Sequence, residues 1–139
     1  MKSLIIAVAI TLPLLGWAKS EFYRVAWRSD PATTAVICWN QVSGEAPEVC
    51  YGTVDHGMKA IAYENRAKPT RTLMYREMNN HFVRLENLKP DTAYYFVICD
   101  SEGVGRRLWF KTAPDQRQPF AFISGGDSRT NPEPRREGN

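Results

Sequence analysis

The residues best suited to chemistry lie near the end of the chain, in Phe120-Ala-Phe-Ile-Ser-Gly-Gly-Asp127-Ser-Arg129-Thr130. Phe120 to Ser124 are apolar or small, and a continuous apolar run predicts a short strand covered on both faces, as in the centre of a layered α/β domain. Gly125 and Gly126 then allow backbone angles that other residues avoid, and Asp127 follows at the carboxyl end of the strand. Ligands of layered α/β sheets sit at such strand ends. A carboxylate there is costly unless it is paired, protonated or bound to a cation, which makes Asp127 a candidate metal ligand. The structural alternative is an Asx turn at Asp127, with Thr130 or Asn131 capping a helix that begins at Pro132.

The rest of the chain must position this motif. Its 139 residues allow one domain with a little left over, and a 43% hydrophobic composition is enough to build a core. The net charge of +3 is small and its cations are scattered. No basic stripe with interleaved aromatics is present, so nucleic acid is not an expected partner. Three cysteines are too few for a disulfide scaffold, and none has zinc-site spacing.

Residues 1–18 read as a signal peptide. A positive start at Lys2 leads into the apolar run Leu4 to Leu15, and Gly16-Trp17-Ala18 supplies small residues for cleavage after Ala18. A membrane anchor would need roughly 20 apolar residues, more than this run offers. The expected location is secreted or periplasmic, with no membrane association after cleavage.

Between Glu21 and Thr112 the apolar residues alternate with a period of two. Strands are expected at Phe22–Trp27, Thr33–Trp39, Glu48–Tyr51, Ala60–Tyr63, Thr72–Tyr75, His81–Leu85, Ala93–Cys99 and Arg107–Lys111. Many short strands without helical periodicity predict an all-β, antiparallel sandwich. Leu85-Glu-Asn-Leu88-Lys-Pro90-Asp-Thr92-Ala-Tyr94 has the form of a tyrosine corner, in which the hydroxyl bonds back to nearby backbone. Trp39 is the expected large core residue. Together these features resemble a fibronectin type III-like domain over residues 19–113, followed by a proline-bounded linker at 114–119.

Alternation also places the cysteines. With Ala35, Ile37 and Trp39 inward, Cys38 faces away from the core on the first sheet. With Tyr51 and Tyr94 inward, Cys50 and Cys99 face outward on neighbouring strands of the other sheet, where export would permit a bond between them.

Val49-Cys-Tyr51-Gly52, the LENLKPDTAYYFV run and Trp109-Phe-Lys-Thr-Ala-Pro114 resemble the N-terminal domain of purple acid phosphatases. In that family the sandwich precedes a calcineurin-like metallophosphoesterase domain whose first strand ends in Gly-Asp. The resemblance implies that residues 120–139 begin this domain, here cut short, and that Asp127 ligates one metal of a dinuclear centre of Fe with Fe, Zn or Mn. It implies an exported hydrolase acting on a phosphate ester, in which two metals activate a bridging water. Many relatives carry Asp-x-His where this chain has Asp127-Ser128-Arg129, and purple acid phosphatases usually carry glycine at the third position. Arg129 is a candidate phosphate contact, with a solvated surface role as the alternative. The later motifs of the family do not occur before Asn139, so the 139-residue chain alone is expected to be inactive. The alternative function is a stand-alone binding or adhesion module. His56, in a turn-rich stretch, and His81, at the start of a strand, read as structural or solvated. Gly103-Val-Gly105 reads as a hairpin turn.

Overall fold

In this computed structural model, the structure describes residues 17–117 and residue 119. Strand β1 spans Ser20–Ala26, β2 Ala35–Gln41, β3 Glu48–Gly52, β4 Asn65–Ala67 and β5 Arg71–Tyr75. Strands β6 Met78–Leu85, β7 Ala93–Asp100, β8 Gly103–Val104 and β9 Leu108–Lys111 complete the described elements. One sheet has the order β1-β2-β6-β5; the other has β4-β3-β7, with β8 and β9 both paired to β7. All pairings are antiparallel, and the two sheets pack face to face as a fibronectin type III-like sandwich.

Period-two alternation fixes which face each strand buries. Ala35, Ile37 and Trp39 of β2 point into the core, where they meet Val83 and Leu85 of β6, Val49 of β3, and Tyr94, Phe96 and Ile98 of β7. Trp39 is fully buried, as expected. Its ring stacks on His81 of the paired strand at 5.4 Å and 17°. The tyrosine corner forms: the Lys89 N–H donates to the Tyr94 hydroxyl at 2.9 Å, and the Tyr94 ring stacks on Phe110.

Three local expectations are corrected. Ala60–Ala62 is a 3₁₀ turn rather than a strand. The ring of Tyr63 buries beneath it, and its hydroxyl donates to the Gly57 carbonyl at 2.8 Å, holding the segment as a cover over the second sheet. The strand lies just beyond, where Asn65–Ala67 pairs with β3 and the Arg66 guanidinium donates to the Glu48 carboxylate across the ladder. His81 sits in the middle of β6 rather than at its start. The turn after β7 is Ser101-Glu102, capped by Asp100, whose Oδ1 accepts from the N–H groups of Glu102 and Gly103. Gly103 and Val104 are already the returning strand.

Strand β1 carries a bulge. Glu21 pairs with Asn40 and Arg24 with Cys38, so Phe22 and Tyr23 together oppose one residue. Phe22 takes a φ of 52° and turns its ring to solvent, while Tyr23 packs against the core.

The β5–β6 hairpin turns through Arg76 and Glu77, with φ of 47° and 63°. Two consecutive left-handed residues between paired strands make the turn that Asn-Gly fills without strain, whereas long side chains are costly there. The double substitution R76N/E77G is expected to raise stability by about 1 kcal/mol, read as an increase of roughly 4–8 °C in Tm. An unchanged or lower Tm would show that this turn carries no such strain.

Candidate functional site

Asp127, Gly126 and Arg129 lie outside the described residues, as do the strand expected at 120–124 and most of the leader. The described chain shows how the segment that leads to them is held. Strand β9 ends at Lys111, and Thr112 is fully buried. Its hydroxyl donates to the Lys89 carbonyl at 2.6 Å and accepts from the Thr92 N–H at 2.9 Å. One residue on, the Ala113 N–H donates to Pro31 O at 3.0 Å and its carbonyl accepts from Asp91 N at 2.9 Å. The Leu88 N–H in turn bonds to Thr33 O at 2.9 Å. Pro31 and Thr33 belong to a turn pinned by Asp30, whose Oδ1 accepts from the Ala32 N–H at 2.9 Å. The chain therefore leaves the sandwich through a rigid collar built from the β1–β2 turn and the tyrosine corner.

At the other end of the sandwich a polar network closes the core. The Trp39 indole N–H donates to Gln41 Oε1 at 2.6 Å, and the Gln41 amide donates to Asp100 Oδ2 and to the Ser43 carbonyl, each at 2.5 Å. Beside it, His81 is buried, with Nδ1 3.2 Å from the Thr72 hydroxyl and Nε2 without a protein partner. Burial lowers its basicity below the usual histidine range, so the ring is neutral at pH 7. His56 packs edge-on against Tyr63. Both histidines have structural surroundings. Among the described residues, no group of three or more His, Cys, Asp or Glu is placed to hold a metal ion.

The cysteines divide as alternation expects. Cys38 lies on the face of β2 away from the main core, yet it is buried, and desolvation raises its thiol while Arg24 opposes that rise. Cys50 and Cys99 share a second cluster with Tyr63 and Val97 on the outer face of the other sheet, their sulfurs 3.1 Å apart. Their hydrogen bond holds the Cys50 thiol below the usual range, and Arg66 also favours its thiolate, whereas the same bond pushes Cys99 up. The Gln41–Asp100 link was not foreseen; its one sequence signal is a carboxylate directly before the Ser-Glu-Gly turn.

Two antiparallel sheets with a tyrosine corner beside the end of the last strand define a sandwich module. The chain belongs to the purple acid phosphatase N-terminal domain family, whose model matches residues 21–112. It is 31% identical over 94 residues to the probable purple acid phosphatase 20 of Arabidopsis thaliana, covering 68% of this chain and 22% of that protein. It is 26% identical over 119 residues to an uncharacterized Mycobacterium tuberculosis protein, covering 85% of this chain and 22% of that one. A match of 119 residues is longer than the 112 that end at Thr112, so this likeness runs past the sandwich. The chain thus spans about a fifth of the length of the curated relatives it matches. Among solved structures, the fn3 domain of human contactin 1 aligns with a TM-score of 0.49 at 19% identity, over 84% of this chain and 99% of that one.

Proposed function

We propose that this chain is the leader, sandwich and first metal motif of an exported purple-acid-phosphatase-like metallophosphoesterase that hydrolyses phosphate monoesters. The family match over residues 21–112 carries this reading, because SGGDSRTN follows the matched domain directly after a short linker. In the reading, Asp127 is a ligand of a dinuclear metal centre and Arg129 contacts the substrate phosphate. Such a centre, when bound, supplies a metal-activated water and charge stabilisation on the phosphate. The described sandwich residues do not fit that centre, having no ligand cluster, and no step of the hydrolysis is assigned to them. Their contribution is to fold, and to present the chain beyond Thr112 through the Pro31, Lys89 and Thr92 collar.

Export rests on the apolar run Leu4 to Leu15 and the small residues before Lys19. Lys19, the first residue after the expected cleavage site, is held at the mouth of the β1–β2 ladder, its carbonyl accepting from the Val42 N–H at 2.9 Å.

The test uses native protein from the producing cells. Its intact mass is expected to lie tens of kilodaltons above the 15.8 kDa of this chain, and it should hydrolyse p-nitrophenyl phosphate. Asp127→Asn in that protein is expected to lower kcat/KM by at least about 100-fold and to reduce bound metal, because a first metal ligand is lost. The 139-residue chain alone should show no hydrolysis. A native mass matching Lys19–Asn139 would overturn the phosphatase reading and leave a sandwich binding or adhesion module. Full activity in Asp127→Asn would remove the metal role of that residue.

A further inference from the structure

The geometry points to a structural disulfide between Cys50 and Cys99, which ties β3 to β7 beneath the Ala60–Ala62 cover. Alternation in the sequence puts both thiols on one face of the second sheet but leaves their register open. The ladder supplies it: Glu48 pairs with Cys99 and Cys50 with Val97, so the two cysteines are diagonal neighbours on adjacent strands. Their sulfurs stand 3.1 Å apart, closer than two sulfur atoms rest without a hydrogen bond or a covalent bond. Both side chains are buried in an apolar pocket closed by Tyr63, Val97 and Val104. That pocket offers a sulfur no better partner than the other sulfur. Cys38 is on β2 of the opposite sheet and is left as a free thiol.

The oxidant is a low-molecular-weight disulfide, and the chemistry is thiol–disulfide exchange. One of the two cysteine thiolates attacks one sulfur of the donor and expels a thiolate, leaving a mixed disulfide. The other cysteine thiolate then attacks the protein sulfur of that mixed disulfide and expels the second donor thiolate. Two protein thiols lose two protons and two electrons, and the donor disulfide is reduced to two thiols. Because Cys50 is inaccessible in the folded state, exchange takes place before the cover of residues 60–63 seats over β3. The staple spans 49 residues of sequence, including β4, β5 and β6, so it restricts a large part of the unfolded chain.

The test refolds the reduced full chain with a mixture of reduced and oxidised glutathione, then denatures it, alkylates free thiols and maps the peptides. One alkylated cysteine, Cys38, is expected, together with a Cys50–Cys99 cross-linked peptide lighter by two hydrogen atoms. Oxidised protein should melt about 10–20 °C above the same protein kept in reductant, a comparison that needs no variant. Cys50→Ser should melt with the reduced form and lose its sensitivity to reductant. Three alkylated cysteines, a cross-link through Cys38, or equal Tm values with and without reductant would each overturn the proposal. None of these readouts depends on phosphatase activity.

Discussion

Trp39→Ala is expected to destabilise the sandwich by about 3–5 kcal/mol, measured as a lower urea midpoint at an unchanged m-value. The indole is fully buried between the sheets, among Ile37, Val83, Phe96 and Ile98. Its removal forfeits packing on both sides and leaves a cavity that strands held by ladders on each edge cannot collapse to fill. Two polar losses add to this. Gln41 Oε1 loses the indole donor that it accepts at 2.6 Å, and the buried His81 ring loses the surface on which it stacks. A domain of this size has roughly 5–15 kcal/mol to lose, so much of the population is expected to be unfolded at 37 °C. Trp39→Phe keeps most of the apolar volume and should lose only a minor part of that stability. A Trp39→Ala cost below about 1 kcal/mol would mean that the core is not organised around this side chain.

Thr112→Val is the second large effect, expected at about 2–4 kcal/mol despite the near-identical shape of the two side chains. The substitution removes no apolar contact; it removes one buried hydroxyl that serves two backbone groups. The Thr92 N–H loses its acceptor at 2.9 Å and the Lys89 carbonyl loses its donor at 2.6 Å. A buried polar group left unpaired costs about 1–3 kcal/mol, and here two part-buried backbone groups lose their partner together. Thr112→Ser, which keeps the hydroxyl, should recover most of the loss, and that rescue distinguishes hydrogen bonding from packing. Equal stability of Thr112→Val and the parent, by thermal melting, would show that water reaches these groups.

Both residues bear on how much was legible in the sequence. Trp39 was readable because β2 alternates cleanly and its partners alternate with it. The tyrosine corner was readable because Pro90-Asp91-Thr92 fixes a turn at a set distance from Tyr94, and the hydroxyl then reaches Lys89 N. Thr112 was not singled out. A threonine at the end of a strand has many possible partners, and only the folded chain brings Lys89 and Thr92 beside it. Strand β4 escaped notice because Asn65-Arg66-Ala67 has no apolar alternation; its position comes from pairing with β3. The reverse error at Ala60–Tyr63 has the same origin. There only Tyr63 buries against the outer face of the sheet, while Ile61 stands exposed on a 3₁₀ turn, and a window of four apolar residues does not distinguish this from a strand. The bulge at Phe22 defeated alternation outright, since one extra residue sends the ring to solvent. Asp127 stands out as a candidate from its setting after Gly-Gly, its proposed metal role rests on the resemblance of the preceding domain, and it lies outside the described residues.

The strand order also governs how the chain is born. The sheets are interleaved in sequence: β1 and β2 belong to one, β3 and β4 to the other, β5 and β6 return to the first, and β7 to β9 complete the second. Strand β2 waits for β6, and β3 for β7, so the apolar faces of the first three strands have no lasting partner while the middle of the chain is being synthesised. Closing such long loops before their contacts form makes sandwiches slow folders, on the order of milliseconds to seconds. At about 5–20 residues per second of synthesis, the nascent sandwich remains open for several seconds until β9 has emerged. Lys111 and Thr112 are then both the end of the domain and the signal that it can close.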